Sequence, residues 1–282
     1  MTEKSCELCG HTGAMLALYR EQRIVQCPSC ALIFYDGSVD TAFLYGADYF
    51  RGGEYFDYVS DKKVLQWNAR RRIGQLRKLI PSGGRLLEIG SAYGFFLDLA
   101  REHWRVGGID VSAEGVQYAR DVLGLDVTQA DFLDLPDEPG SLDAVCMWDT
   151  IEHLPHPVRF IEKASRWLKP GGVLMLSTGD VGSLVSRIRR ERWRQIHPPT
   201  HLYYFSRGTL TQAVERAGLE CAEISSEGNY RSYRSMAYAV FSLGGKPTDW
   251  IYRAITLGER LDFPVYLNLY DLFVLVARKT RI

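Results

Sequence analysis

Four cysteines near the N-terminus form the clearest candidate metal site in the sequence. They occur as two Cys-x-x-Cys pairs separated by 17 residues, namely Cys6, Cys9, Cys27 and Cys30. Two such pairs supply four thiolates to one tetrahedral zinc ion in a zinc ribbon. Because all four ligands come from the protein, the predicted zinc is structural. Two disulfides are the alternative, but the lack of an export signal favours reduced thiols.

A glycine turn between an apolar strand and a helix is the second chemical pattern. The stretch 85–100 carries Glu88, Gly90 and Gly94 in the spacing E-x-G-x-x-x-G. The glycines lack a Cβ atom, so the backbone can turn tightly and approach a ligand closely. The dinucleotide fingerprint is instead spaced G-x-G-x-x-G, which closes backbone amides on a pyrophosphate. The wider spacing favours a ligand without phosphates. Glu88 is expected to end its strand facing the crevice that holds this ligand.

The glycine turn and Asp110, which ends the next strand, resemble the cofactor site of the class I S-adenosylmethionine-dependent methyltransferases. In that family the turn holds the methionine part of the cofactor and the second-strand acid binds both ribose hydroxyls. The resemblance also implies that Asp131 meets the adenine amine and that Phe132 lies against the adenine. The implied cofactor-binding residues are Glu88, Gly90, Ala92, Gly94, Asp110, Val111, Asp131, Phe132 and Trp148. A purely structural loop is the alternative interpretation of the turn.

Two histidine segments are candidates for the acceptor side of such a site. Residues 149–155 resemble the E-H-L/V-x-x-P signature of quinone-type and sugar methyltransferases. The resemblance implies that Asp149 and His153 face the substrate, although His153 could instead bond a loop backbone. Residues 196–206 resemble the H-E-H-L-x-Y-F-S segment of sugar C-methyltransferases and the T-H-x-W-x-x-F segment of quinone O-methyltransferases. His201 takes the place of the histidine that acts as a base.

The segment 196–206 departs from the sugar-enzyme pattern at two positions. Thr200 stands where those enzymes have Glu, and Pro199 stands where they have the first His. These departures favour O-methylation over C-methylation of a keto sugar. Just upstream, five arginines occur within residues 187–194. They are predicted to form a solvated helical face, or alternatively to contact a phosphate of a nucleotide-linked acceptor.

Alternating strand and helix patterns predict how these residues are positioned. Apolar runs predict strands at 85–90, 105–110, 125–130, 142–148, 172–177, 219–228 and 270–278. Helical spacing predicts helices at 61–80, 94–103, 112–123 and 157–168. This order is typical of an α/β fold with a doubly wound, mostly parallel sheet. The resemblance implies a Rossmann-like sheet of seven strands that ends in an antiparallel hairpin.

Three regions are predicted along the chain. Residues 1–38 form the zinc ribbon, and residues 39–80 form an aromatic lid and a helical cap, in which Arg70, Arg71 and Arg72 are expected on a solvated face. The aromatic residues could alternatively pack the ribbon onto the catalytic domain. Residues 81–282 form the S-adenosylmethionine-binding domain, with an insertion at 229–265 expected beside the substrate pocket.

Composition narrows the class of acceptor. The 282 residues are 46% hydrophobic, and 34 basic residues balance 34 acidic ones. A neutral chain has no general attraction to nucleic acid. No apolar run approaches the roughly 20 residues of a membrane span, and the N-terminus lacks a secretory signal, so a cytoplasmic protein is predicted.

The predicted acceptor is a hydroxyl of a sugar, which could be phosphorylated or nucleotide-linked, or of a secondary metabolite or quinone-like compound. A zinc-ribbon RNA methyltransferase is the runner-up, because zinc ribbons precede the catalytic domain in some enzymes that modify ribosomal RNA. The oligomeric state stays open.

Overall fold

The computed structural model describes residues 5–38, 62–233 and 263–281, together with positions 236, 250 and 251. These residues contain two β-sheets and six α-helices. The strands are β1 Leu16–Tyr19, β2 Ile24–Gln26, β3 Ile33–Tyr35, β4 Arg85–Ile89, β5 Arg105–Asp110, β6 Val127–Gln129, β7 Leu142–Trp148, β8 Leu168–Gly179, β9 Tyr203–Tyr204, β10 Leu219–Ser232 and β11 Pro264–Lys279. The helices are α1 Lys62–Leu79, α2 Phe95–Ala100, α3 Ala113–Asp121, α4 Pro157–Trp167, α5 Leu184–Arg189 and α6 Arg207–Arg216.

The larger sheet has seven strands in the order β10-β11-β8-β7-β4-β5-β6. The strands from β4 to β8 pair in parallel, whereas β11 is antiparallel to both of its neighbours. This arrangement confirms the predicted doubly wound fold with a terminal hairpin. The parallel strands end at one edge of the sheet, where open α/β sheets bind ligands. The glycine turn, Asp110 and Trp148 all lie at that edge.

Strand lengths differ from the prediction in two places. β8 begins at Leu168 rather than at residue 172, because Leu168 already pairs with Leu142 before a register shift in the parallel ladder. The hairpin also extends into the predicted insertion, with Asn229 opposite Leu267. Residues 229–232 and 264–265 are therefore strand, not insertion. The remaining insertion lies mostly outside the described residues, as does the predicted aromatic lid at 39–61.

The N-terminal ribbon is continuous with the catalytic domain through a shared sheet. Its three strands form an antiparallel sheet with β9, in the order β1-β2-β3-β9. The amide of Tyr35 donates to the carbonyl of Leu202 at 2.8 Å, next to the β3–β9 pairing. Leu32 and Phe34 belong to the same buried cluster as Phe205. The ribbon is thus fixed directly to the segment that carries His201.

An ion pair between an exposed arginine and a buried carboxylate attaches the segment after β8 to the sheet. The Nε and Nη2 atoms of Arg194 donate to Asp271 on β11 at 3.1 Å, and the Trp193 indole donates to Asp271 at 2.9 Å. Asp271 is buried; burial acts to raise the pKa of its carboxyl, but the bonds from Arg194 and Trp193 lower it. Arg194 of the arginine cluster at 187–194 thus has a defined partner, although its side chain is 38% exposed. The other arginines of that cluster, Arg187, Arg189, Arg190 and Arg192, are exposed.

No helix in the described ranges is long and apolar enough to cross a bilayer.

Replacing Asp271 should destabilise the fold in a pH-dependent way. Asp271→Asn should lower the free energy of unfolding at pH 7 by about 1.5–3 kcal/mol, because charge-assisted hydrogen bonds are lost. The folded-state pKa of Asp271 lies below its unfolded value, so this stabilisation is present above pH ~4 and is lost as the pH falls through the folded pKa. Urea denaturation at pH 7 and pH 3 measures both effects.

Asp137→Asn is the matched control for this measurement. Asp137 also pairs with an arginine, Arg166, but both side chains are about half exposed. Such pairs contribute little. Equal denaturation midpoints for Asp271→Asn, Asp137→Asn and the unmodified protein would contradict the role given to Asp271.

Candidate functional site

The turn after β4 has the backbone geometry that its glycines predict. Gly90, Ala92 and Gly94 have φ angles of 77°, 45° and 76°, in the left-handed region. A Cβ atom on Gly90 would lie 2.5 Å from the side chain of Thr150, in the loop that follows β7. Gly90 therefore serves both the turn and the close approach of that loop.

Asp110 stabilises this turn from the neighbouring strand. Its two carboxylate oxygens accept the backbone amides of Ala92 at 2.7 Å and Ser112 at 2.8 Å. Burial raises the pKa of the carboxyl, while the amide bonds oppose that change. Each oxygen has a further lone pair, so the carboxylate can still accept hydrogen bonds from two ligand hydroxyls.

Buried polar atoms around the turn lack partners among the described residues. They are Oε2 of Glu88, Oγ of Ser91 and Nε1 of Trp148. Burial raises the pKa of Glu88 well above its usual range; Arg72 opposes this and Asp110 adds to it. Buried polar groups in native proteins are normally hydrogen-bonded. Orphaned donors and acceptors at the ends of β4 and β7 therefore fit a polar ligand such as S-adenosylmethionine.

The residues predicted near the adenine differ from one another in exposure. Asp131 is exposed, and its carboxylate accepts a hydrogen bond of 2.8 Å from the amide of Leu133, which caps a short 3-10 helix. Val111 is also exposed. Phe132 is 1% exposed, and its ring contacts Phe160 and Trp167. The burial of the Phe132 ring therefore does not support the prediction that it lies against the adenine.

Arg72 on α1 contacts two residues at the binding edge, Trp148 and Asp149, and the sequence analysis missed it. Its guanidinium binds Glu227 at 3.1 Å and Asp149 at 3.0 Å, and it lies 4.6 Å from the centre of the Trp148 ring. Burial acts to lower the pKa of Arg72, but the two carboxylates raise it. The predicted solvated face at 70–72 is thus wrong for Arg72, which is 8% exposed.

A helical signal could have identified Arg72. The buried residues of α1 are Ala69, Arg72, Ile73 and Leu76. Their spacing of three, one and three is that of a single helix face, so Arg72 lies in the buried stripe. Arg71 is also engaged, since it donates to the carbonyl of Gly228 at 2.7 Å.

Asp149 is held in place at the end of β7. It has a φ angle of 51°, its carboxylate accepts the Ser177 hydroxyl at 3.0 Å, and Arg72 binds the other oxygen. Its side chain is 37% exposed. These contacts orient Asp149 toward its protein partners, and a direct role in catalysis stays a prediction.

The structure brings the two predicted histidine segments together. The Nδ1 atom of His153 donates to the carbonyl of Thr200 at 2.9 Å, and the His153 and His201 ring centres are 4.5 Å apart. The His197 ring lies 3.8 Å from that of His201. Burial lowers the pKa of His153 to about 4 and that of His201 well below its usual range. Both imidazoles are therefore neutral at pH 7.

The four N-terminal cysteines have the geometry of a tetrahedral thiolate site. The Sγ atoms of Cys6 and Cys30 are 3.5 Å apart, as are those of Cys9 and Cys27, and all four lie within 4.8 Å of one another. A disulfide needs about 2.05 Å, whereas thiolates 2.3 Å from zinc are about 3.8 Å apart. Burial acts to raise the pKa of Cys27, but backbone amides of Cys30 and Ser29 contribute to lowering it to about 7. The donor set fits zinc.

Known proteins match more than half of this chain. The profile of a methyltransferase domain family covers residues 62–224. A "Ubiquinone biosynthesis O-methyltransferase" of Xylella fastidiosa is 28% identical over 59% of this chain and 73% of its own length. Its counterpart in Xanthomonas axonopodis pv. citri is 35% identical over 52% of this chain and 67% of that protein. The alignment to the Xanthomonas campestris counterparts spans only 43% of those proteins.

Solved structures agree with the fold. A SAM-dependent methyltransferase from Archaeoglobus fulgidus superposes with a TM-score of 0.52 and 20% identity, covering 85% of this chain and all of that one. At this identity the likeness concerns the fold alone. The family match extends over more than half of the sequence and includes the glycine turn, Asp110 and His153. The chain therefore belongs to the class I S-adenosylmethionine-dependent methyltransferases.

Proposed function

We propose that the protein transfers a methyl group from S-adenosylmethionine to a hydroxyl oxygen of a small-molecule acceptor. The observation that carries this proposal is the packing of Thr150 against Gly90. It places the loop that contains His153 directly beside the glycine turn of the cofactor site. O-methyltransferases among the relatives support oxygen as the accepting atom.

The residues of the turn would hold the cofactor, which supplies an activated methyl group on a sulfonium. Asp110 would accept the ribose hydroxyls, and the unpartnered Oε2 of Glu88 could accept a hydrogen bond from the ammonium group at the methionine end. Alignment of two bound reactants can lower a barrier by roughly 7–11 kcal/mol at its upper limit. The chain's main task is thus to hold the acceptor oxygen in line.

The acceptor is proposed to bind against the histidines that follow β7 and α5. Neutral imidazoles in a buried setting can orient a hydroxyl and take its proton. A quinone-like or other secondary-metabolite hydroxyl is favoured by the relatives, and a sugar hydroxyl by the resemblance of residues 196–206. A phosphate on a nucleotide-linked acceptor would bind the exposed arginines, which are Arg187, Arg189, Arg190 and Arg192.

Zinc is proposed as a structural ion in the ribbon. The four thiolates leave no open coordination position, so the ion would fix the ribbon against β9 without taking part in methyl transfer.

Asp110→Asn should weaken the binding of S-adenosylmethionine at least tenfold. The substitution removes the charge from a carboxylate that is proposed to accept two ribose hydroxyls, and charged hydrogen bonds contribute about 1.5–3 kcal/mol. Isothermal titration calorimetry measures the change, and the thermal midpoint shows whether the turn is intact. Asp126→Asn, at an exposed carboxylate before β6, is the control. Equal affinity in Asp110→Asn and Asp126→Asn would refute the assignment.

His201→Ala should lower kcat by about two to four orders of magnitude and leave cofactor affinity within about twofold. Turnover is measured with labelled S-adenosylmethionine against hydroxylated quinone precursors, nucleotide-linked sugars and an RNA fragment. His156→Ala is the control, because His156 is half exposed and pairs with Glu7 on the ribbon. Wild-type turnover by His201→Ala would contradict the proposed role, and methylation of RNA alone would replace the proposed acceptor class.

Cys27→Ser should abolish metal binding by the ribbon. Cobalt-substituted protein should show a sulfur-to-metal charge-transfer band that this variant loses, because a serine hydroxyl is a poor ligand for the ion. Cys221→Ser, at a half-buried thiol on β10, should keep the band. A native protein without any thiolate-bound metal would show that the four cysteines have another role.

A further inference from the structure

A buried ammonium group contacts the turn that follows β6. Lys163 on α4 is 4% exposed, and lysine is almost never buried to this extent without partners. Its Nζ atom donates to the backbone carbonyl of Leu133 at 3.1 Å and to that of Leu135. It also lies 5.1 Å from the centre of the Phe132 ring and 5.6 Å from that of Trp167. Carbonyl dipoles and aromatic faces both stabilise a cation, so the buried charge is compensated.

The turn itself is too short to be stable alone. It is a 3-10 helix of three residues, Phe132–Asp134, and so short a helix has few hydrogen bonds of its own. Asp131 caps its N-terminus by accepting the amide of Leu133 at 2.8 Å. The two carbonyls that Lys163 binds belong to the middle and to the C-cap of the same helix. The position of the Asp131 carboxylate therefore depends on the contacts of Lys163.

The chain just before the turn has a separate attachment. The amide of Ala130 donates to the carbonyl of Asp110 at 3.1 Å, so this end is tied to the residue that is proposed to bind the ribose. Asp131 thus lies between two attachments, one to Asp110 and one to Lys163. Its Oδ1 atom accepts the Leu133 amide, and a carboxylate can accept further donors at its second oxygen. Because Asp131 is exposed, a ligand can reach it.

We propose that Lys163 is a positioning residue for recognition of the adenine base. Its ammonium group holds the turn, and the turn holds the Asp131 carboxylate in a fixed position relative to Asp110, so that base and ribose are bound together. This inference rests on the proposed binding of S-adenosylmethionine and on the adenine contact that the resemblance implies for Asp131. The buried Phe132 ring then anchors the turn, since it packs against Phe160 and Lys163.

Two nucleosides that differ only in the base test this role on the full-length protein. S-adenosylhomocysteine carries the adenine amine, whereas S-inosylhomocysteine has a carbonyl oxygen there and cannot donate to Asp131. The unmodified protein should bind S-adenosylhomocysteine at least tenfold more tightly, because the inosine base loses a charge-assisted hydrogen bond. Lys163→Met keeps a long side chain but has no N–H donor, so its preference should fall to about threefold or less. Isothermal titration calorimetry measures both dissociation constants.

Lys279→Met is the matched control. Lys279 on β11 also donates to backbone carbonyls of α4 and its C-cap, those of Ser165 and Leu168, both at 2.8 Å. This variant should keep the tenfold preference, and so should Lys163→Arg, which retains the donors. Lys163→Gln is too short to reach both carbonyls, so it should behave as Lys163→Met does. It supplies the measurement if the thermal midpoint shows that Lys163→Met is unfolded.

The inference is overturned if the Lys163 variants without the ammonium group keep the preference of the unmodified protein. It is equally overturned if Lys279→Met loses the preference to the same extent, since the lysine contacts would then affect stability alone. Equal binding of the two nucleosides by the unmodified protein would refute the Asp131 contact and this inference with it. Lack of any S-adenosylhomocysteine binding would instead refute the cofactor assignment on which the inference rests.

Discussion

The buried guanidinium of Arg72 is the interaction on which the arrangement of the binding edge depends. It forms ion pairs with Glu227 on the hairpin and with Asp149 at the end of β7, and it lies over the Trp148 ring. Removing one partner from a buried ion pair costs about 3–5 kcal/mol because the other charge is left uncompensated. Arg72 therefore positions α1, the end of β7 and the hairpin relative to one another, and its contacts fix the backbone at Asp149.

The loop after β7 joins the two halves of the site. Thr150 packs against Gly90 on the cofactor side, whereas His153 bonds Thr200 on the acceptor side. Only a few residues separate these contacts, so a displacement of the loop alters both halves together. The short connection explains how one rigid strand end can position two ligands whose reacting atoms must be aligned.

The fold was predictable because its strands and helices carry strong periodic signals. Local sequence patterns predict the β4 turn, the succession of β5 to β8 along the chain and the two Cys-x-x-Cys pairs. The contacts of Arg72 were not predictable in the same way, since its partner Glu227 is 155 positions away. The two-residue strand β9 is also too short for any periodic signal. The two histidine segments were identified separately, by resemblance, and the hydrogen bond from His153 to the Thr200 carbonyl that joins them required the structure.

The pairing of β3 with β9 links metal binding to the acceptor segment by mass action. An ion that binds only the folded ribbon stabilises every element that folds cooperatively with it. β9 begins two residues after His201, so the histidine segment is one of the elements that the ribbon holds. The β4 turn belongs instead to the parallel sheet. Leu87 and Ile89 of β4 share a buried cluster with Leu8 and Phe34 of the ribbon, but among the other described strands only β9 is hydrogen-bonded to the ribbon strands. With zinc in its proposed structural role, its removal would therefore loosen the histidine segment before the β4 turn.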